Sequence, residues 1–367
     1  MKDLSPPARP LVFKGRGASS NAVSRFDPMK RDEYDDGWGT LDEELTPLRT
    51  EVAIDATRKV ITYNDSPDIS FDRTINPYRG CEHGCIYCYA RPTHAYLGLS
   101  PGLDFESRLQ AKPDAAEILR KELAKPSYRC APIALGMNTD AYQPIEREYR
   151  ITRGILEVLA ECRHPVSLVT KSSLVERDID ILAPMAEQGL ASVYVTITTL
   201  DRGIARRLEP RAAAPERRLE TLRRLSAAGI PTGVMVAPVI PALTDSEMES
   251  ILEKASAAGA QGAGYVLLRL PYELVQLFED WLRLHYPLKA EHVLSLIRQS
   301  RGGKLYDASF KSRMKGEGLF ADMIAKRFGL ACHHLGLNKQ RKSLETALFR
   351  PPAAQQKTSS TGQMSLF

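Results

Sequence analysis

The chain has 367 residues, enough for one large α/β domain with additions or for two ordinary domains. Its 43% apolar and 26% charged content is that of a globular protein, and no apolar run approaches the ~20 residues that a membrane span needs. A net charge of +5 permits an acidic partner such as nucleic acid without demanding one, and the opening MKDLSPPARP has no apolar signal core, so the expected location is the cytoplasm.

Residues 1–69 read as an irregular extension, rich in Pro, Gly, Ser and mixed charges over the first fifty positions. From 70 to 270, β-rich runs alternate with helical stretches. The expected strands are TINPY, APIALGMN, PVSLVT, SVYVTITT, IPTGVMVAPVI and AGYVLLRL. Pro113 and Asp114 open a helix over DAAEILRKEL, Pro215 opens one that stops at Gly229, and Thr244 with Glu247 forms a capping box for the next. After a long first connection the strands recur roughly every 27 to 40 residues, the length of a βα unit. Six units in a row predict an α/β fold, a partial (βα)6 TIM-like barrel of parallel strands, with chemistry at the strands' C-terminal ends.

Residues 271–349 read as a basic helical cap, with phosphate contact by Arg298, Arg301, Lys304, Arg313 and Lys315 as the alternative use of its joints. Residues 350–367 read as a low-complexity tail.

Of six cysteines, three crowd together as Cys81, Cys85 and Cys88 in NPYRGCEHGCIYCYARP, just after the first expected strand. Three thiolates on one loop suit a single metal centre, and soft sulfur favours iron–sulfur clusters or zinc. Structural zinc sites normally close with four ligands, and here a fourth is not obvious. Three cysteines leave one iron of a [4Fe–4S] cluster open to an outside ligand.

The CxxxCxxC spacing, with Tyr87 directly before the third cysteine, resembles the signature of the radical S-adenosylmethionine (SAM) enzymes. The resemblance implies a [4Fe–4S] cluster whose open iron is chelated by SAM. One-electron reduction, from a donor such as a small redox protein, then yields a 5′-deoxyadenosyl radical that abstracts a hydrogen. Later segments are similar to the spore photoproduct lyase-like branch. On that similarity MNTDAYQP places Thr139 and Asp140 on the SAM amino group, and VTKS places Lys171 near its carboxylate. VTIT offers Thr196 to the same carboxylate, and VMVAP sets Ala237 beside the adenine with Tyr87 opposite. Glu209, Pro210 and Arg218 match a further lyase segment, and Tyr89 takes the place of a hydrogen-atom relay. One departure stands out. Where the lyases carry a hydrogen-donor cysteine, this chain has Met137 and Asn138, and Cys130 lies ~20 Å away at the far end of the same expected strand.

The last five residues, Gln363, Met364, Ser365, Leu366 and Phe367, resemble the peptide by which bacterial polymerases and repair proteins dock on the DNA sliding clamp. Gln363 suits a pocket rim, and the apolar side chains suit clefts. The leading expectation is therefore a radical SAM enzyme in DNA metabolism or repair. Two others stay open: a radical SAM catalyst acting on RNA, protein or a small molecule, and a clamp-associated iron–sulfur protein without catalysis.

Overall fold

Runs rich in Val, Ile and Thr pair into one sheet, as stiff β-branched side chains favour. The computed structural model describes residues 15–27, 48–339 and 343–352. Its strands in chain order are β1 (Glu51–Ile54), β2 (Ile61–Tyr63), β3 (Arg73–Ile75), β4 (Tyr78–Arg79), β5 (Arg108–Ala111), β6 (Ile133–Leu135), β7 (Val166–Thr170), β8 (Ala191–Thr196), β9 (Thr232–Val239) and β10 (Gly262–Leu267). The main sheet runs β10-β9-β8-β7-β6-β3-β2. Every pair in it is parallel except β2 against β3. This is the expected six-strand parallel array, left open between β10 and β2 among the described residues.

Helices cross between the parallel strands and bury their apolar faces on the sheet. Helix Ile151–Glu161 buries Ile155, Leu156 and Leu159, and helix Met248–Ala257 buries Ile251, Leu252 and Ala255. Pro215 fills the first turn of helix Pro215–Ala227, where its missing N–H costs nothing, and Gly229 follows that helix with φ +78°. A second core joins helices Leu274–His285 and Ala290–Gln299 to the cysteine loop: Phe278, Trp281 and Ile297 belong to the same apolar cluster as Ala18, Ile86 and Tyr87. No described helix is long and apolar enough to cross a membrane.

Three expectations change, and one falls outside the described residues. Part of the segment read as irregular is ordered as β1 and β2, and β1, β5 and β4 form a separate three-stranded sheet. These strands are two to four residues long and pair across long stretches of chain, so no local periodicity marks them. The capping box does not form: the Thr244 hydroxyl accepts from the Ile240 N–H at 3.0 Å, and Glu247 accepts from Thr199 and Leu200. Glu247 thus ties the β8 loop to the β9 loop. The basic joints are not all free, because Arg301 is buried on the carbonyls of Leu267, Leu268 and Ser312, and Arg313 pairs with Asp68. Lastly, Gln363 to Phe367 lie outside the described residues.

Candidate radical SAM site

β4 delivers the chain into the cysteine loop. Gly80 and Gly84 adopt φ +75° and +66°, which glycine reaches without strain. A Cβ on Gly80 would sit 2.5 Å from Leu109 and 2.9 Å from His94, so only glycine lets the loop turn here. Cys81 and Cys85 are buried and Cys88 half-buried, and all three are free thiols. Burial pushes the Cys85 thiol up to about 12, and it raises Cys81 and Cys88 as well. A coordinating metal reverses that preference, since bound thiols are deprotonated outright.

Among the described residues no three Cys, His, Asp or Glu side chains converge closely enough to hold one metal ion. Three soft thiolates would suit an iron–sulfur cluster, with Cys81, Cys85 and Cys88 as the residues that would hold it. The charges agree: Lys171, Arg218 and Arg91 all act on these thiols and favour their anionic form.

Arg91 holds the loop in shape. It is fully buried and uses all five N–H donors: Nε on Cys85 O at 2.9 Å, Nη1 on Pro101 O and Gly102 O, and Nη2 on Gly84 O and the Glu106 carboxylate. Glu106 also accepts the N–H groups of Gly17 and Ala18, both at 2.9 Å. Residues 15–27 are thereby strapped across the cysteine loop. The contact is backbone on backbone, for a Cβ on Gly17 would fall 1.9 Å from Gly84 O. Sequence reasoning passed over Arg91, Glu106 and Gly17. Arg91 three residues after Cys88 was a visible signal, but nothing local foretells its burial.

Around the loop the strand ends bring most of the expected residues together. The Tyr87 hydroxyl donates to Glu209, which also accepts from Arg218 and from Thr198 at 2.8 Å. Burial alone would raise the Glu209 carboxyl, but Arg218 and Lys171 outweigh it and hold it down to about 2. The Lys171 ammonium lies 5.8 Å from the Tyr87 ring centroid. Burial pulls its pKa down, while Cys85 and Glu209 more than restore it, so Lys171 is charged. Thr196 is buried at the end of β8, and Ala237 is half-buried near the end of β9 with its carbonyl accepting from Thr198 at 3.0 Å.

Two of the expected residues are hydrogen-bonded within the chain. The Thr139 hydroxyl donates to Tyr78 O at 2.8 Å. Asp140 accepts from Tyr142 N, Thr170 Oγ1 and Lys171 N at 2.7–2.9 Å and faces His83 Nδ1 at 3.3 Å. His83 neighbours it in a polar cleft of about 180 Å³ lined also by Arg147, Ser172, Ser173 and Arg211. Tyr89 stands apart at 43% exposure, and its hydroxyl donates to Met137 O.

Comparison with known proteins agrees with this geometry. Residues 75–255 match the family model described as the radical SAM superfamily. An uncharacterised protein of Mycobacterium tuberculosis is 38% identical over 268 residues, 72% of this chain and 77% of its own. An uncharacterised protein of Methanocaldococcus jannaschii is 30% identical over 173 residues, 47% of this chain and 62% of its own. Among solved structures, spore photoproduct lyase complexed with dinucleoside spore photoproduct superposes with a TM-score of 0.55 at 16% identity, over 78% of this chain and 80% of that one. At that identity the likeness shows the fold. The site and fold define an enzyme that works with a [4Fe–4S] cluster and SAM and therefore needs a one-electron reductant. The chain belongs to the radical SAM superfamily, with the architecture of its spore photoproduct lyase-like members.

Proposed function

We propose that Cys81, Cys85 and Cys88 hold the cluster and that Tyr87, Thr139, Asp140, Lys171, Thr196 and Ala237 line the SAM site, with Asp140 also positioning Lys171 through its backbone N–H. The observation that carries this reading is the buried three-thiol loop at the C-terminal ends of the strands, with cations beside the sulfurs. When bound, the cluster and SAM supply reductive cleavage to a 5′-deoxyadenosyl radical. The chain's own part is to orient and exclude. Lys171 offers a charged donor for the SAM carboxylate, and such charge-assisted bonds are the strong ones. Glu209 and Arg218 fix the Tyr87 ring in one orientation, and the strap over Gly84 keeps water from the loop. Tyr89 is the candidate hydrogen relay, because its hydroxyl points to the end of β6, where this chain lacks a cysteine.

The substrate reading is DNA, in a cytoplasmic enzyme of repair or DNA metabolism served by a small redox protein as electron donor. Two observations support it: the shared architecture with a lyase solved on a dinucleoside photoproduct, and the clamp-like Gln363–Phe367 peptide. Such a peptide binds weakly, on the order of micromolar, since ordering it costs free energy. The test is co-purification with the sliding clamp of the same cell, using the whole chain and a form lacking residues 363–367. Retention of the whole chain alone supports the reading, and equal retention of both forms contradicts it.

A further inference from the structure

One guanidinium at the mouth of the site makes no ion pair among the described residues, although the Asp68 carboxylate, paired with Arg313, feels its charge. Arg269 lies two residues beyond β10, and its guanidinium carbon stands 5.2 Å from the Tyr89 ring centroid. Tyr89 in turn bonds the carbonyl of Met137, two residues beyond β6. Three strands, β9, β8 and β7, separate β10 from β6, so Tyr89 and Arg269 together span the C-terminal mouth of the sheet.

The other guanidinium groups nearby are occupied. Arg301 is spent on three carbonyls, and Arg313 takes Asp68. Among the described residues Arg269 makes no ion pair. Its Nη1 donates to the Met314 sulfur at 3.2 Å, a weak acceptor, and its Nε is buried with no partner. A buried donor left unmade is costly. The arrangement makes sense if an anion completes it.

The surroundings indicate which anion. Tyr272, three residues on, is 64% exposed and sits in the left-handed region at φ 51°, an uncommon and strained place for an aromatic residue. Arg25, anchored by Glu273, lies 4.3 Å from the Tyr272 ring centroid and also packs on Phe26 and Tyr96. Two exposed rings, one packed on the Arg269 guanidinium and one three residues along the same loop, are the elements of a single-strand track, where bases stack and phosphates pair. We propose that Arg269 binds a phosphodiester oxygen of single-stranded DNA while Tyr89 and Tyr272 offer stacking faces to the flanking bases. This assignment rests on the DNA reading above.

The test is fluorescence anisotropy at low salt with the whole reconstituted protein. The probes are a short labelled oligothymidylate, the same strand with neutral methylphosphonate linkages, and its oligouridylate counterpart. For Arg269→Gln the phosphodiester strand weakens about 10- to 100-fold, the scale of one charge-assisted bond, while the methylphosphonate strand binds variant and wild type alike. Equal binding of the phosphodiester strand to both proteins, or an equal loss on both DNA strands, overturns the role of Arg269. Preference for the uridylate strand overturns the DNA assignment. If the wild type binds no strand, the DNA reading itself falls, and that result is distinct from a wild type that binds and a variant that does so equally well.

Discussion

Glu209 and Arg218 form a buried ion pair at the edge of the site, both within a few per cent of full burial. The pair fixes more than itself: Arg218 also donates to Thr196 O, and Glu209 holds the Tyr87 hydroxyl. Removing one partner leaves the other charged and dry, which costs about 3–5 kcal/mol. Glu209→Gln is therefore expected to lower stability by that order in denaturant titrations.

The same pair sets a pH dependence. The Glu209 carboxyl is held at about 2 in the fold, against 4.5 as its ordinary value. A depressed pKa contributes stability that is complete above the unfolded value and is lost as pH falls through the folded one. Wild-type protein should lose stability between roughly pH 5 and pH 2 more steeply than Glu209→Gln. Parallel curves for the two proteins would contradict the assignment.

Gly17→Ala tests the strap. Its new Cβ would overlap Gly84 O, and the atoms it meets are all backbone, so the strap must lift. Overpacking of this kind costs about 1–3 kcal/mol. The variant should show a lower Tm, and its reconstituted cluster should bleach several-fold faster in air. An unchanged bleaching rate would mean that the strap does not shield the loop.

Arg91→Lys separates charge from shape. Lysine keeps the positive charge beside Glu106 but cannot make the five fixed bonds of the guanidinium. Iron and sulfide loading should fall well below wild type while far-UV circular dichroism is retained. Full loading would show that charge alone suffices.

The parallel sheet was legible because its six strands are short segments enriched in Val, Ile, Leu and Thr and set apart by turn residues, and that pattern needs no partner to be read. The cysteine spacing was legible for the same local reason. Arg91, Glu106 and Gly17 were not, since their roles arise from contacts 6 to 90 residues apart in sequence. Asp140 was placed correctly at a strand end, yet its partners Thr170 and Lys171 come from the neighbouring strand and its loop. A motif shows that a carboxylate is present; only the fold shows which groups it accepts from. Arg269 carried no motif at all, and its unpaired state depends on what Arg313 and Asp68 do to each other.

Lys171→Met tests the SAM site. The substitution removes the ammonium and keeps the backbone N–H that Asp140 accepts. SAM affinity of the reconstituted protein, read by equilibrium dialysis, should weaken about 10- to 100-fold if that ammonium meets the SAM carboxylate. Unchanged affinity would assign the carboxylate elsewhere.

The most direct test of the central claim is formation of 5′-deoxyadenosine by protein reconstituted without oxygen and given SAM and a strong reductant. Wild type should form it, and Cys85→Ala, unable to complete the three-thiol set, should form none. Product from both proteins, or from neither when the wild-type cluster is fully loaded, would contradict the assignment of Cys81, Cys85 and Cys88 to catalytic radical chemistry.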